Sequence, residues 1–599
     1  MSNSYERNFG LEYEQTLPTL GESMVQILQF FGAKIVYGVG GDFAANMIAA
    51  LSTQLQVLPA SNEMHGAFCA CAQAEIDGMG FCLSTYTVGS LPCMTAAALA
   101  KTERLPVVFL SGAPGENEVH RDAIHHTVHN AFDWCEDYDA ALRAFSAIGI
   151  RAQRLQGGRN RSQPNIAALN FFDLVKHAYL NREPVFIEIP RDLLSSKTQP
   201  VILPASKDAL LNFPVFLSGA EAIAHAIVAE LKNAKAPLVY IGEQVKLNDA
   251  LKNKIADFCQ THNIPFVTSW FAKGIFDEYS ELCLGCYNGV FSAPTLRHYV
   301  EHNIDYVLDV GTSIFPQDTA SAFHTNTHFI EKFSNKTVVK GAMLHERDLL
   351  SLFDVLETLD IPRHVFNAQK FAINTVSENS DENNKIDFHN LSSALNQLQE
   401  NDQRPYIYLP EVGNSYFASF GLRVRSNALG RAWLTNPWYA AMGTSLPYAR
   451  IVAERVKTNK LDARTVLITG DGGFHFQLNE LIHFQKQQLP VIIIYMRNNI
   501  FHLGKSGDGE IYHCSDSQFD VQLLVRAYGG TGSVCDTVGQ FNKAFSDAVE
   551  ANHGIYLIEI PCEPSEKYQC REIKLLNLYI QARNGNPQAM LEWEKLIQS

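Results

Sequence analysis

The sequence predicts an α/β fold built as three doubly wound parallel-sheet domains. Short apolar runs alternate with stretches of helical spacing along most of the chain. Two polar, punctuated stretches, around 195–214 and 376–390, divide that alternation into three runs. The chain has 599 residues, more than one hydrophobic core usually serves. Apolar strands separated by helical stretches imply sheets covered on both faces, which are parallel.

In the first run, Met24, Ile27, Leu28 and Phe31 follow the spacing of an amphipathic helix. Strands are expected at 34–39 (KIVYGV), 80–85 (GFCLST), 106–112 (PVVFLSG) and 184–189 (PVFIEI). The second run offers 237–241 (PLVYI), 265–268 and 304–310 (IDYVLDV). The third offers 465–469 (TVLIT), 491–496 (VIIIYM) and 555–560 (IYLIEI). The expected domains are 1–195, 215–365 and 385–565, followed by a charged helical extension, 566–599.

Composition narrows the function classes. Hydrophobic residues make up 46% and charged residues 19%, an ordinary globular balance. A formal net charge of −15 argues against nucleic acid and anionic membranes as partners. No apolar run is long enough to span a bilayer, and the opening MSNSYERNFGLEYEQ lacks a secretory apolar stretch. A cytoplasmic protein is expected, with Cys69, Cys71, Cys82 and Cys93 as buried, reduced thiols. Cys283 and Cys286 form a CxxC with no second pair to complete a zinc site.

The chemistry concentrates in the third run. The strand at 465–469 leads straight into Gly470-Asp471-Gly472-Gly473. Glycines at the end of a parallel strand admit a ligand to the backbone, and the N–H groups opening the next helix favour a phosphate. Twenty-five residues lie between Gly472 and Asn498, room for one helix and one strand. The next parallel strand therefore ends with Asn498-Asn499 beside the glycine turn. Mg²⁺ wants oxygen ligands, and an Asp carboxylate, an Asn amide, a backbone carbonyl and two phosphate oxygens supply them. Gly-Asp-Gly alone is also ordinary turn chemistry.

With that spacing and the Asn pair, the chain resembles the thiamine-diphosphate enzymes. The resemblance implies thiamine diphosphate and Mg²⁺ as cofactors, with Asp471 and Asn499 as side-chain metal ligands and Phe501 giving a carbonyl. Gly470, Gly472 and Gly473 would line the diphosphate. The segment 409–417 (LPEVGNSYF) resembles the family's stretch before the cofactor, which puts Asn414 and Ser415 near the diphosphate. The segment 440–449 (AAMGTSLPYA) resembles the one with a large apolar residue beneath the thiazolium, here Met442. A core Met at a helix start is the plainer alternative.

The region 61–114 resembles the pyrimidine-binding domain of pyruvate and indolepyruvate decarboxylases. Glu63 falls where they place the glutamate that hydrogen-bonds the pyrimidine and activates the cofactor; the alternative is an acid favoured by a helix start. Thr85 is a candidate pyrimidine contact. Asp42 matches their active-site aspartate. His125 and His126 match an adjacent pair that relays protons with it. A surface turn, with His120 and His129 allowing adventitious metal binding, is the alternative there. The glycines before Asp42 also mimic a dinucleotide fingerprint, although Phe43 occupies its third glycine position.

One position departs from the decarboxylases. They carry a glutamate six residues after the second Asn, and here that position is Lys505. A lysine attracts a carboxylate but supplies no acidic proton of that kind. Asp508 and Glu510 are candidates to compensate. The expected activity is non-oxidative decarboxylation of a 2-keto acid of pyruvate, phenylpyruvate or indolepyruvate type. A thiamine-dependent carboligase, a nicotinamide dehydrogenase and a catalytically silent binding relative stand as alternatives. The resemblance further implies pyrimidine-binding, middle and diphosphate-binding domains, and sites shared between subunits of a homodimer or homotetramer. Phe501, Trp433, Trp438 and Phe474 are candidates for an aromatic-sized pocket or for ordinary core.

Overall fold

The apolar runs become the strands of three sheets in the computed structural model. It describes residues 17–119, 126–130, 135–157, 164–211, 217–246, 248–311, 326–333, 336–339, 342–345, 348–366, 381–499, 519–563 and 569–598. The chain divides into two compact units. One takes residues 1–213, 438–452 and 477–483; the other takes 214–437, 453–476 and 484–599.

Among the described residues the first unit opens with the helix Leu20–Phe30, started by a capping box between Thr19 and Glu22. Its apolar face, with Met24, Ile27 and Leu28, is buried. The sheet of this unit has six parallel strands, in the spatial order Gln56–Pro59, Ile35–Gly38, Gly80–Ser84, Val107–Ala113, Val185–Pro190, Arg151–Arg154. The three strands from Gly80, Val107 and Val185 are buried along their whole length. That follows from helices on both faces and accounts for their unbroken apolar sequences. Strand order reverses at Ile35–Gly38, and the carboxyl ends beside such a point form a natural crevice for a ligand.

The second unit holds two sheets. One runs Cys283–Cys286, Phe266–Thr268, Pro237–Ile241, Tyr306–Val310, Asn326–Phe333, Lys336–Val339, Ala342–His345. Its first five strands are parallel, as expected, but the last two are added antiparallel. The links after Phe333 and Val339 are too short for a crossover helix, so only hairpin pairing is open to them. The other sheet is wholly parallel, in the order Tyr406–Pro410, Arg464–Gly470, Val491–Arg497, Ile555–Pro561, Thr531–Val534. The helices Arg571–Arg583 and Pro587–Gln598 pack on the core of this sheet through Ile573, Leu576 and Trp593. No helix among the described residues is long and apolar enough to cross a membrane.

Candidate active site

In the second unit the glycine turn stands at the carboxyl edge of the wholly parallel sheet. Gly470 ends its strand and pairs in register with Met496 of the next. Asp471, 3% exposed, opens the helix Asp471–Gln477. Its carboxylate accepts the Tyr495 hydroxyl at 2.8 Å and the N–H groups of Asn498 and Asn499 at 2.9 and 3.0 Å. Burial pushes this carboxyl above its ordinary range, against those three donors, which lower it. The Asn pair thus lies beside the turn, as its spacing predicts. Asn499 has φ 56°, a left-handed conformation that asparagine tolerates better than most residues.

The turn's glycines differ in what surrounds them. A Cβ on Gly470 would meet nothing nearer than Met496 O at 3.8 Å and Ser415 Oγ at 4.0 Å. Space is therefore open there, and Ser415 borders it. A Cβ on Gly473 would fall 2.2 Å from Glu411 Cγ, so this glycine answers to packing. Asn414 and Ser415 open the short helix Asn414–Ala418. The Asn414 Oδ1 is buried and has no hydrogen-bond partner among the described residues. Trp433 and Phe474 are core residues, 3% and 0% exposed, not the lining of an open pocket. Phe501, Lys505, Asp508 and Glu510 lie outside the described residues.

In the first unit the other sequence candidates gather at strand ends beside the reversal. Asp42 follows Ile35–Gly38, Glu63 opens the helix after Gln56–Pro59, and Thr85 follows Gly80–Ser84. The helix is capped by Asn62, whose side chain accepts the His65 N–H at 2.8 Å. Glu63 is half-buried, and its carboxylate makes no hydrogen bond among the described residues. His126 Nε2 lies 3.6 Å from Asp42 Oδ1, with both side chains partly exposed. Phe43 meets the His126 ring edge-on at 5.8 Å. His125 lies outside the described residues. The Thr85 hydroxyl is buried without a partner among the described residues. Met442 is 39% exposed and precedes the helix Ser445–Thr458, so it is not a core residue. Trp438 is half-buried, and its backbone N–H donates to Glu103 at 2.7 Å.

The dinucleotide alternative fails on this geometry. A Cβ on Gly38 would lie 1.9 Å from Leu83 O, and one on Gly41 would lie 2.7 Å from the Thr85 side chain. These glycines admit the neighbouring strand and its end, not a pyrophosphate.

Comparison with known families agrees with both halves. The thiamine pyrophosphate enzyme N-terminal TPP binding domain matches residues 18–135, the central domain 224–340 and the C-terminal TPP binding domain 411–560. The chain belongs to the thiamine pyrophosphate enzymes. Together the three matches take in more than half of this enzyme's length. It is 24% identical to an indole-3-pyruvate decarboxylase of Azospirillum brasilense, over 90% of its own chain and 94% of that protein. It is 23% identical to a pyruvate decarboxylase of Hanseniaspora uvarum, over 90% and 95%. It is 22% identical to a thiamine metabolism regulatory protein of Saccharomyces cerevisiae, over 99% and 96%.

The residues present fit the family's cofactor. Two buried polar atoms without partners among the described residues, Asn414 Oδ1 and Thr85 Oγ1, stand at positions the sequence assigns to it. Such atoms are costly unless something satisfies them. Space is open at Gly470, and the Asp471 carboxylate keeps lone pairs for a cation beyond its three hydrogen bonds. Sequence reasoning missed Tyr495, which holds Asp471, and Glu411, which fills the place of a side chain at Gly473. It also missed the buried acid Glu480 and its partner Arg450. Tyr495 had a legible signal, since it is a polar-tipped residue within an otherwise apolar strand.

Proposed function

We propose that this enzyme decarboxylates a 2-keto acid without oxidation, using thiamine diphosphate and Mg²⁺. The substrate class is that of pyruvate, phenylpyruvate or indolepyruvate, and the names of the two decarboxylase relatives support it. The observation that carries the reading is the approach of His126 to Asp42, 3.6 Å apart on two different segments of the first unit. An imidazole beside a carboxylate can hand a proton to a bound intermediate and take one back.

In this reading Asp471 and Asn499 hold Mg²⁺, with the Phe501 carbonyl as a third ligand. Asn414, Ser415 and the turn from Gly470 to Gly473 receive the diphosphate. Met442 supports the thiazolium from below, and Thr85 and Glu63 meet the pyrimidine ring. Thiamine diphosphate, when bound, supplies the electron sink into which the carboxylate's electrons pass as CO₂ departs. Glu63 shares a proton with the pyrimidine nitrogen and so tunes the cofactor. Asp42, His125 and His126 deliver the proton that ends the cycle as an aldehyde. The reading includes a homodimer or homotetramer with sites shared between subunits, and a cytoplasmic location.

Lys505, standing where the decarboxylases have a glutamate, favours a second reading, carboligation. Slow protonation leaves time for a second carbonyl compound to be captured, giving an acyloin. Incubation with pyruvate or phenylpyruvate, with and without benzaldehyde, tests this. Decarboxylation predicts CO₂ and free aldehyde; carboligation predicts mainly acyloin; bound cofactor with no turnover makes the protein a silent relative and ends the proposal. Glu63→Gln is expected to lower turnover by about 10²- to 10⁴-fold while thiamine diphosphate still binds. Full activity in that variant removes Glu63 from the reading.

A further inference from the structure

Glu63 sits in a turn that one buried acid ties down from both sides. Glu480 is 0% exposed. Its carboxylate accepts the Ser61 N–H at 2.8 Å and lies 3.4 Å from His65 Nδ1. Its second oxygen takes Arg450 Nη1 at 3.3 Å, and the same nitrogen donates to the Pro59 carbonyl at 3.0 Å. Asn62 adds a link, its Oδ1 accepting the His65 N–H at 2.8 Å. His483 Nε2 approaches Glu480 at 4.0 Å, and the Arg450 guanidinium lies over the Tyr37 ring at 5.4 Å. Residues 59, 61 and 65 are thus all held to one Arg–Glu pair, and Glu63 lies among them. Glu480 sits in the turn Leu478–Glu480 and Arg450 on the helix Ser445–Thr458, so the turn is fixed by two distant segments of the same unit.

A buried ion pair is a weak source of net stability, because desolvation offsets its attraction. A charged cluster bonded to the backbone adds direction, since its hydrogen bonds fix where the Ser61 N–H and the Pro59 carbonyl stand.

We propose that Glu480, with Arg450 and His65, is a positioning residue that sets where the Glu63 carboxylate meets the cofactor. This rests on the assignment of Glu63 as the acid facing the pyrimidine ring. Glu480 touches no reacting atom; it acts through the Ser61 backbone before Glu63 and the His65 side chain after it.

The test is exchange of the C2 proton of bound thiamine diphosphate for deuterium, read by NMR after acid quench in the full-length holoenzyme. It compares wild type, Glu63→Gln, Glu480→Gln, Glu480→Asp and the Glu63→Gln/Glu480→Gln double variant, with circular dichroism confirming folding. Glu480→Gln and Glu480→Asp are expected to slow exchange about 10- to 100-fold, the scale of a misplacement of about 1 Å. Cofactor affinity and KM stay close to wild type, and the double variant exchanges no more slowly than Glu63→Gln alone. Wild-type exchange in a folded Glu480 variant, with Glu63→Gln slow, overturns the positioning role and leaves Glu63 in place. Additive slowing in the double variant overturns it too, because Glu480 then acts independently. Wild-type exchange in Glu63→Gln removes the assignment beneath it and both ideas fall. Failure of both Glu480 single variants to fold assigns the cluster to stability and also overturns the proposal.

Discussion

The Thr85 hydroxyl carries more information than its size suggests. It is buried between Gly41 and Gly89, and no partner among the described residues satisfies it. A threonine kept there for packing alone could be a valine. Thr85→Val is therefore expected to leave the melting temperature of the cofactor-free protein unchanged or slightly raised, since it removes a buried, unsatisfied oxygen. The same variant should bind thiamine diphosphate about 5- to 10-fold more weakly, the effect of one lost hydrogen bond. Calorimetric titration beside a thermal scan measures both. Equal affinity in the two proteins takes Thr85 out of the site.

At the scale of elements, the glycine turn separates packing from binding. Gly473→Ala forces a methyl group toward Glu411, which is 1% exposed and cannot swing away. Overpacking of that kind costs about 1–3 kcal/mol, visible as a lower melting temperature without any ligand. Gly470→Ala meets no such obstacle. It should leave stability nearly intact and weaken cofactor binding, because its methyl group enters the open space beside Ser415. A reversed pattern would reassign both glycines. These elements also show what the sequence discloses. Strands buried on both faces, such as Val107–Ala113 and Val491–Arg497, announce themselves as apolar runs. Arg151–Arg154 (RAQR) carries no such run, because it is an edge strand paired on one side only. The Asp471–Asn499 approach was legible because one helix and one strand fix its spacing. The hold of Glu480 on the Glu63 turn was not, because it joins residues hundreds of positions apart with no periodic signal. The Asp42–His126 approach was legible only by resemblance to relatives, for several helices and strands lie between the two and no sequence spacing ties them together.

At the scale of the whole molecule, the same buried cluster links the site to acid stability. Burial works to raise the Glu480 carboxyl, but His65, Arg450, His483 and the Ser61 N–H outweigh it and hold it down at about 2. Its ordinary value is 4.5. The folded state therefore releases this proton more readily than the unfolded chain. The resulting stability is present in full above about pH 4.5 and is lost as pH falls toward 2, an effect of roughly 3 kcal/mol. Denaturant unfolding at several pH values should show a steeper acid slope in the wild type than in Glu480→Gln, where the other lowered carboxyls, such as Asp402 and Asp249, still contribute. An unchanged slope would place the acid sensitivity elsewhere. The central claim concerns the other unit: thiamine diphosphate is held there through Mg²⁺ by Asp471 and Asn499. Calorimetric titration of wild type and Asp471→Asn with thiamine diphosphate, with and without Mg²⁺, tests it most directly. The account predicts Mg²⁺-dependent binding to the wild type and a loss of about 10- to 100-fold in Asp471→Asn. Equal binding by the two proteins, or binding indifferent to Mg²⁺, would contradict it.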